Sequence, residues 1–418
     1  MAVDKFVSPS VSKIQLPGVV KGQQRHPMLE KNHKEHHMFF NKAGFHNHMV
    51  HQYLSAYALG ATPERLQEIF DAHASFQRPL PPHSKVVELT RDNYREHLGN
   101  RDWYPSYLEF FKKEIDELGV EKAVQYWIFK DDMLPRFVGA AIHPLIHMGY
   151  AAEFDIPYVA AEALASTACA QGYLAPMMVE ESNNNTDAIE HTLLDLVEKI
   201  RKDPDLDGVA KYSDEAKLMN VVHSNTAVQK IREAVTLWNV NERNLEAKMK
   251  DLFVSIMLLY AGSGVRNNRY KLDFFLAHAL TSTHAVFNTV QQYLDRSQAA
   301  KLMRAHVATA LVWYLARGKP SVDVEALTHY QSPSVSTNEH NPWLQVLDRA
   351  LGYHEAHVIK VVRATAVGQM MYGDQYPNVW LKAAQMTLDH AGGDSSRGNW
   401  EFEGVGFDET WTRRDGKM

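Results

Sequence analysis

The chain has 418 residues, with 44 Lys and Arg against 50 Asp and Glu, which gives a formal net charge of −6. Hydrophobic residues make up 45 % and charged residues 22 % of the sequence, as in ordinary globular proteins. Cys169 is the sole cysteine, which excludes a disulfide framework and a four-thiolate metal site. The 22 histidines are the unusual feature of this composition.

The composition also limits which partners and which cellular location we expect. The sequence has no basic stripe, so we expect no nucleic-acid partner. The N-terminal segment lacks the apolar core of a secretory signal, and the longest apolar run, residues 252–262, is about half a membrane-spanning helix. We therefore expect no membrane span and, with one cysteine, a reducing cytoplasmic location.

The first 44 residues are polar and interrupted by proline, and we expect them to form an arm that lies over the body. Glu30-Lys31-Asn32-His33 is one Glu-x-x-His motif, whereas a di-iron bundle needs two, so a solvated face is the better interpretation. Helical periodicity begins near residue 45. Thr62 as N-cap and Pro63 after it predict the start of a helix.

Helical periodicity then continues through most of the chain, while the alternation typical of strands is scarce. We predict an all-α fold, with residues 45–391 as one large multi-helix catalytic domain and residues 392–418 as a C-terminal tail. A metal or substrate site is expected between helices. Beyond Pro63, helices are predicted at about 106–118, 121–130, 135–153, 157–173, 186–202, 214–238, 241–261, 270–293, 297–316, 341–371 and 375–391.

Common catalytic signatures are incomplete. Gly262-Ser263-Gly264 begins like a dinucleotide loop but lacks the third glycine and a βαβ context. His354-Glu355-Ala356-His357 is one residue short of a zinc-protease motif. Residues 137–143 match the first part of a flavin Baeyer–Villiger fingerprint without its end. The sequence therefore offers no flavin or nicotinamide loop.

Four separate apolar, helical segments carry histidines. Residues three or four apart on a helix lie side by side and can face one point, and imidazole is a ligand for Fe, Zn, Cu and Ni. A single histidine on an apolar face is more often a hydrogen-bonded core residue. Four such segments, without a compensating pattern of buried carboxylates, favour a shared metal site. The segments contain His48 and His51, His143 and His147, His278 and His284, and His354, His357 and Lys360.

The remaining histidines and Lys360 need separate interpretations. Scattered histidines in polar contexts are predicted to be surface residues. Lys360 shares a helix face with His357, and a metal repels an ammonium, so its amine must be turned away, neutral or chemically altered. A carbamate formed with carbon dioxide would supply an anionic oxygen ligand; the alternative is a lysine that reaches solvent or pairs with an acid. The scattered set is His26, His73, His83, His97, His329 and His340.

The histidine segments resemble the questin oxidase-like family, a group of fungal and bacterial proteins tied mainly to oxidative tailoring of aromatic polyketides. The resemblance extends from about residue 45 to 365, and the family's Asn-His helix and His-x-Ile-Lys helix are both intact. The stretches that carry it are Asn47-His48 with residues 54–61, residues 139–147, residues 274–282 and His357-Val358-Ile359-Lys360.

The resemblance implies an oxygen-using enzyme that opens the central quinone ring of anthraquinones such as questin or emodin-type compounds. The histidine pattern favours a mononuclear non-haem Fe(II) oxygenase with dioxygen as co-substrate and an aromatic polyketide as small-molecule partner. In this hypothesis the ligands are His48, His143, His278 and His357, with Lys360 as a carbamate oxygen ligand. Acid–base or supporting roles fall to His51, His147 and His284.

Two alternatives stay open. Some family members are described as Baeyer–Villiger-type enzymes that use NADPH, which would make this chain a metal-free or NADPH-dependent oxidase. A non-catalytic helical protein that binds a polyketide or a partner is the other alternative. The sequence leaves open the anthraquinone, the bond cleaved, mono- or dioxygenation and the oligomeric state.

Overall fold

A computed structural model describes residues 5–9, 12–14, 16, 27–82, 86–179, 191–336, 340–376, 378–393 and 398–412. Within these ranges the regular structure is helical, apart from isolated bridges and one antiparallel pair, β1 (Val265–Arg266) and β2 (Arg269–Tyr270). The predicted all-α fold is confirmed. None of the described helices has the length and hydropathy of a membrane span.

The chain forms two compact units. Unit 1 comprises Met1–Phe6, Ile14–Ala175 and His284–Gln298, and unit 2 comprises Val7–Lys13, Pro176–Thr283 and Ala299–Met418. Two of these boundaries fall inside long helices, Phe274–Tyr293 and Arg296–Ala316, and the others lie at residues 6/7, 13/14 and 175/176. The predicted domain limits at residues 44 and 391 stay predictions.

Unit 1 holds the first eight α-helices and short 3₁₀ turns. The α-helices are α1 (Pro27–Glu35), α2 (Met49–Ala58), α3 (Pro63–Ala74), α4 (Tyr104–Leu118), α5 (Val120–Ile128), α6 (Met133–Phe137), α7 (His143–Phe154) and α8 (Pro157–Cys169). The 3₁₀ turns are Tyr94–His97, Arg101–Trp103 and Ala140–Ile142.

The later helices belong to unit 2, apart from the parts of α13 and α14 inside residues 284–298. They are α9 (Leu193–Lys202), α10 (Lys217–His223), α11 (Asn225–Trp238), α12 (Leu245–Gly262), α13 (Phe274–Tyr293), α14 (Arg296–Ala316), α15 (Val324–Thr328), α16 (Pro342–Gly352), α17 (Ala356–Tyr372), α18 (Val379–His390) and α19 (Asp408–Thr412). Residues 175–177 and 204–206 form further 3₁₀ turns.

The core of unit 1 centres on α8, which packs against α4 and α7. Its sequence is rich in alanine, and every residue from Val159 to Cys169 is buried. Small side chains let neighbouring helices approach closely. Gly149 of α7 shows the same requirement, because a Cβ there would lie 2.4 Å from the Cβ of Ala285. In unit 2, α17 packs against α18, α16 and α12.

Helix starts follow local capping chemistry. The side chain of Thr62 accepts the Arg65 N–H and Pro63 opens α3, which confirms that predicted start. Thr192 and Asp195 form a capping box at α9. The predicted helix at 186–202 thus begins at Leu193, and its residues 186–190 lie outside the described part of the chain.

Three predicted helices are interrupted. At each break a left-handed backbone or a new N-cap ends one helix and begins the next. The segment 135–153 breaks at Ala140–Ile142, and 214–238 breaks at Ser224, whose side chain caps α11. The segment 341–371 breaks after Gly352, and Glu355 caps α17. Helical periodicity alone does not register such breaks, because the apolar face continues through them.

Candidate metal and proton-transfer site

His48 and His143 lie close together in unit 1. His48 is the N-cap residue of α2 and His143 is the first residue of α7. Their Nε2 atoms are 3.0 Å apart, and their rings meet edge to face. The structure therefore joins two of the predicted ligands at the starts of two helices.

The hydrogen bonds of the Nδ1 atoms determine where each ring of this pair carries its proton. Nδ1 of His48 donates to the carbonyl oxygen of His46 at 2.7 Å, and Nδ1 of His143 donates to that of Ala140 at 2.9 Å. A carbonyl only accepts, so each neutral ring carries its proton on Nδ1 and a lone pair on Nε2. Two lone pairs 3.0 Å apart repel each other, so this arrangement suits a shared proton or a cation.

The backbone before His143 is strained. Ala140, Ala141 and Ile142 have φ of 48°, 51° and 63°, a left-handed region that residues with a Cβ seldom adopt. The turn they form ends where α7 begins, and it supplies the Ala140 carbonyl to His143. Strain of this kind persists where the surrounding structure enforces it, often at functional sites.

His46 is a neighbour that the sequence analysis missed. Its ring stacks on His143 with centroids 4.5 Å apart and planes 3° from parallel. Burial lowers the pKa of His46 well below its usual value, and nearby imidazoles add to this shift. His46 is therefore neutral at physiological pH. Its place in a loop, outside the helical periodicity, hid it from the sequence pattern.

His278 and His357 form the corresponding pair in unit 2. His278 lies one turn into α13 and His357 is the second residue of α17. Their ring centroids are 4.8 Å apart, and one ligand nitrogen of each lies within 4.8 Å of the other. Nδ1 of His278 donates to the Phe274 carbonyl at 2.7 Å. The Nε2 lone pair of His278 is therefore the one available to a ligand.

Glu355 orients His357, and the sequence analysis did not assign it a role. Its carboxylate accepts the Nδ1–H of His357 and caps α17 by accepting the backbone N–H groups of His357 and Val358. Trp400 Nε1 donates to it at 2.9 Å. Burial lowers the pKa of His357 well below its usual range, so this ring is neutral, as a metal ligand must be.

Lys360 is buried one turn after His357, with 2 % of its surface exposed. Burial lowers the pKa of its amine to about 7, against the opposing effect of Glu355. Its Nζ has no hydrogen-bond partner among the described residues. The alternative of a lysine that reaches solvent is therefore wrong.

All four predicted histidine ligands thus share one arrangement. In each ring the Nδ1–H donates a hydrogen bond to an oxygen atom, which is how metal-ligating histidines are usually oriented. Nε2 is therefore the atom of each ring that can bind a metal. Imidazole donors of this kind fit Fe, Zn, Cu or Ni. The residues present therefore fit a transition-metal ion.

A second chain of contacts in unit 1 links His51 and His147 to a carboxylate. His51 Nε2 lies 3.1 Å from His147 Nδ1, and His147 Nε2 donates to Glu162 Oε2 at 2.7 Å. The other oxygen of Glu162 bonds His33 Nδ1 at 2.7 Å. The ring of His51 also lies 5.5 Å from that of His48, so this chain adjoins the predicted ligands.

Glu162 is ionised despite its burial. It is 3 % exposed, and burial alone raises the pKa of a carboxyl, but hydrogen bonds from His147 and His33 lower the pKa to about 2. A sequence signal was available, because Glu162 is the single charged residue of α8. The expected absence of buried carboxylates is therefore wrong for Glu162 and Glu355 alike, and for Asp273, which is also buried.

His33 corrects a further expectation. The Glu30–His33 segment lies on α1, where Asn32 and His33 are buried, so its interpretation as a solvated face is wrong. Asn47 Nδ2 donates to Asn32, which ties α1 to the loop before α2. His33 also lines an open cleft of about 470 Å³ together with Glu30, Lys34, Leu80, Leu108, Glu109, Lys112 and Tyr158.

Other predicted histidines have mixed outcomes. His284 lies in the part of α13 that belongs to unit 1 and is 6 % exposed, and its acid–base role stays a prediction. His73 is buried and 2.8 Å from Gln52, so its prediction as a surface residue is wrong. His26 and His83 lie outside the described residues.

Comparisons with known proteins agree with the resemblance seen in the sequence. The family model described as questin oxidase-like matches residues 45–365. A Baeyer–Villiger oxidase of Paecilomyces divaricatus is 30 % identical over 93 % of this chain and 90 % of its own length. A questin oxidase of Aspergillus fumigatus is 29 % identical over 92 % of each chain. A Baeyer–Villiger monooxygenase of a Cryptosporiopsis species is 27 % identical over 93 % of this chain and 92 % of its own length.

These relatives are all named as oxidases or monooxygenases, which supports an oxidoreductase. The family match includes every predicted ligand, from His48 to Lys360. The chain belongs to the questin oxidase-like family.

Proposed function

We propose that this chain is an oxygen-dependent enzyme that opens the central quinone ring of an anthraquinone, such as a questin or emodin-type polyketide. The observation that carries the proposal is a family match that spans residues 45–365, with relatives named questin oxidase and Baeyer–Villiger oxidase over more than nine-tenths of this chain. The substrate class comes from those names and the role in secondary metabolism follows from it.

The metal part of the proposal assigns one iron ion to His48, His143, His278 and His357. Its support is the shared orientation of the four rings, whose Nδ1 protons are all held by oxygen atoms. When bound, the iron supplies the binding and activation of dioxygen beside the substrate. The histidines contribute no negative charge, so an anionic ligand would improve the site.

Lys360 is the proposed source of that charge. Its amine nitrogen would add to the carbon of carbon dioxide and lose one proton, which leaves a carbamate with two oxygen donors. The support is geometric, because the side chain is buried one helical turn from His357 and on the same face of α17. An unmodified ammonium at this place would be repelled by a cation.

The neighbouring residues bind and move protons. We assign His51 as the group that takes a phenolic proton of the substrate, since its ring adjoins His48. His147 hydrogen-bonds Nε2 of His51 through its own Nδ1, and the carboxylate of Glu162 accepts the Nε2–H of His147. His284 is retained as a further acid–base candidate on α13.

The test combines metal analysis with oxygen consumption. Protein purified without chelator should contain close to one iron per chain and consume dioxygen with an emodin-type anthraquinone, and chelation should stop turnover. Clearly substoichiometric iron with activity unaffected by chelator would disprove the iron part. Binding of the quinone without oxygen consumption would instead indicate a non-catalytic binding protein.

The relatives named Baeyer–Villiger oxidase and monooxygenase favour a second candidate, a Baeyer–Villiger-type oxidase of the same substrate class. We propose NADPH as its reductant, as the family resemblance implies. Oxidation of NADPH in step with oxygen and quinone consumption would support it. Turnover at an unchanged rate without NADPH would reject it. The two measurements use the same preparation, so iron dependence and NADPH dependence are scored independently.

A further inference from the structure

We propose that Phe402 and Phe274 form a stacking surface on which the rings of a planar aromatic substrate lie beside His278 and His357. The inference rests on the proposed function, because it names the part of that site which binds the substrate. All four residues belong to unit 2. Phe402 lies beyond residues 45–365, which the family model matches, and the names of the relatives give no residue a role.

A continuous series of ring contacts leads from the protein surface to the two histidines. The ring centroid of Phe402 lies 4.7 Å from that of Phe274, and the two planes are inclined by 38°. The Phe274 ring in turn lies 4.6 Å from the ring of His278 and 4.7 Å from that of His357. Aromatic rings attract one another at such separations. A substrate ring on the stacking surface therefore adjoins two of the proposed ligands.

The exposure of Phe402 makes its ring accessible to a ligand. Phe402 is 44 % exposed and Phe274 is half-buried. One exposed phenyl ring is common on protein surfaces, so the contact with Phe274 is what gives this exposure a meaning. The next residue, Phe275, differs, because Trp313 stacks on its ring at 4.3 Å and the Arg317 guanidinium lies over it at 4.9 Å. An apolar ligand on Phe402 would displace water from the open part of its ring, which favours binding.

Backbone contacts hold Phe402 in place although its ring is exposed. The N–H of Phe274 donates to the carbonyl oxygen of Glu401 at 3.0 Å, and the N–H of Glu401 donates to that of Leu272 at 2.8 Å. The Arg317 guanidinium donates to the carbonyl oxygen of Phe402 itself. A contact that is fixed before the ligand arrives loses little conformational freedom on binding, so the stacking surface is pre-organised.

The chemistry of the stacking surface favours a flat, fused-ring ligand. Phenyl rings offer dispersion and quadrupole contacts but no hydrogen-bond donor or acceptor. The oxygen atoms of an anthraquinone lie at the edges of the molecule, so its ring faces are apolar and can stack. Phe402 and Phe274 together present more ring surface than one phenyl group can cover. The surface therefore suits a fused-ring quinone better than a single-ring phenol or an aliphatic chain.

The first test measures binding without turnover. Equilibrium dialysis of the purified protein against emodin, with dioxygen excluded, gives the dissociation constant of this coloured quinone. Phe402→Ala should raise that constant by about tenfold, a loss typical of the removal of one stacking ring, and Phe402→Tyr should stay within about twofold of wild type. Tyr126→Ala is the control, because it removes an aromatic ring of the same 44 % exposure from α5 of unit 1, and it should change nothing. Equal constants in Phe402→Ala and wild type overturn the inference.

The second test locates the bound ligand. Cys169 is the sole cysteine and is buried, so the thiol that Phe402→Cys introduces is the one that an alkylating reagent in solution reaches. Emodin at about ten times its dissociation constant should slow this alkylation by about tenfold, because only the unliganded fraction reacts. In Tyr126→Cys emodin should leave the alkylation rate unchanged. An unchanged rate in Phe402→Cys overturns the inference.

Turnover adds a third measurement. The contact with Phe402 is the same in the ground state and the transition state, so Phe402→Ala should raise KM by about tenfold and leave kcat within about twofold of wild type. A fall in kcat at unchanged KM would contradict a role in binding. If Phe402→Ala does not fold, Phe402→Leu carries the comparison, with a rise in KM of about threefold, because it keeps an apolar side chain without an aromatic face.

The outcomes distinguish this inference from the proposed function. Oxygen consumption by the wild type together with unchanged emodin binding in Phe402→Ala overturns the stacking surface and leaves the proposed function intact. A wild type that binds emodin through Phe402 but consumes no oxygen overturns the proposed function alone. A wild type that does not bind emodin overturns the stacking surface. A lower molecular mass of Phe402→Ala in sedimentation also overturns it, because the ring would then contact a second copy of this chain.

Discussion

The Nδ1–H of His357 donates to the carboxylate of Glu355, which lies two residues earlier and also caps the helix that carries His357. One side chain thereby fixes both the start of α17 and the direction of the imidazole. The ring cannot turn without loss of a charge-assisted hydrogen bond. Nε2 is thereby kept as the ring atom that can bind a metal.

We therefore expect Glu355→Gln to weaken iron binding by about 10–100-fold, because the ring loses its anionic partner. Competition with a chelator of known affinity measures this change. Thr62→Ala removes the N-cap of α3, a helix that carries no predicted ligand, at a cost of about 1 kcal/mol in stability, and it should leave iron affinity unchanged. Equal affinity in Glu355→Gln and wild type would contradict the role given to Glu355.

Lys360→Ala should lower the turnover rate by more than about 100-fold, which is the largest loss typical of residues that only orient metal ligands. Protein prepared in ¹³C-bicarbonate should also show a carbamate carbon resonance that Lys360→Ala lacks. Lys382→Ala on α18 removes a lysine that is only partly buried and should keep both the resonance and the activity. Full iron content and turnover in Lys360→Ala would show that Lys360 is not a ligand.

Ala141→Gly should stabilise the fold by about 1 kcal/mol, because a left-handed backbone costs a residue with a Cβ roughly that much and glycine far less. Urea unfolding followed by fluorescence gives the comparison. Ala72→Gly, on the exposed side of α3, should destabilise by about 1 kcal/mol instead. The same sign for both substitutions would mean that strain at Ala141 is negligible.

Stability in acid should depend on His306. Burial lowers the pKa of this ring to about 3 from 6.5, and its Nε2 lies 2.8 Å from Ser282 Oγ. Between these two pH values the unfolded chain binds a proton that the folded chain does not, so this group makes stability fall as pH falls through that window.

His306→Gln removes that linkage. The difference in unfolding free energy between variant and wild type should move in favour of the variant as pH is lowered from 6.5 towards 3. The slope is up to about 1.4 kcal/mol per pH unit. Above pH 6.5 the difference should be constant. Urea midpoints measured at pH 7.5, 6 and 4.5 show whether the slope begins at the unfolded pKa.

The sequence by itself determined the helical class and the candidate ligands. Apolar residues repeat with a period of about 3.6 wherever one face of a helix is buried. This pattern can therefore be recognised in the sequence before the fold is known. The spacing of His48 and His51, and of His143 and His147, likewise places pairs on one helix face. The family motifs pointed to the same residues.

Only the tertiary structure decided which partners those residues have. Glu162, His33 and His46 are far from the predicted ligands in sequence or lie outside helical periodicity, and a hydrogen bond between distant residues leaves no periodic trace. The breaks before His143 and His357 were also invisible, because they depend on left-handed backbone and on a carboxylate cap. Composition and periodicity report which face is buried; the proton positions on each imidazole follow from contacts that only folding creates.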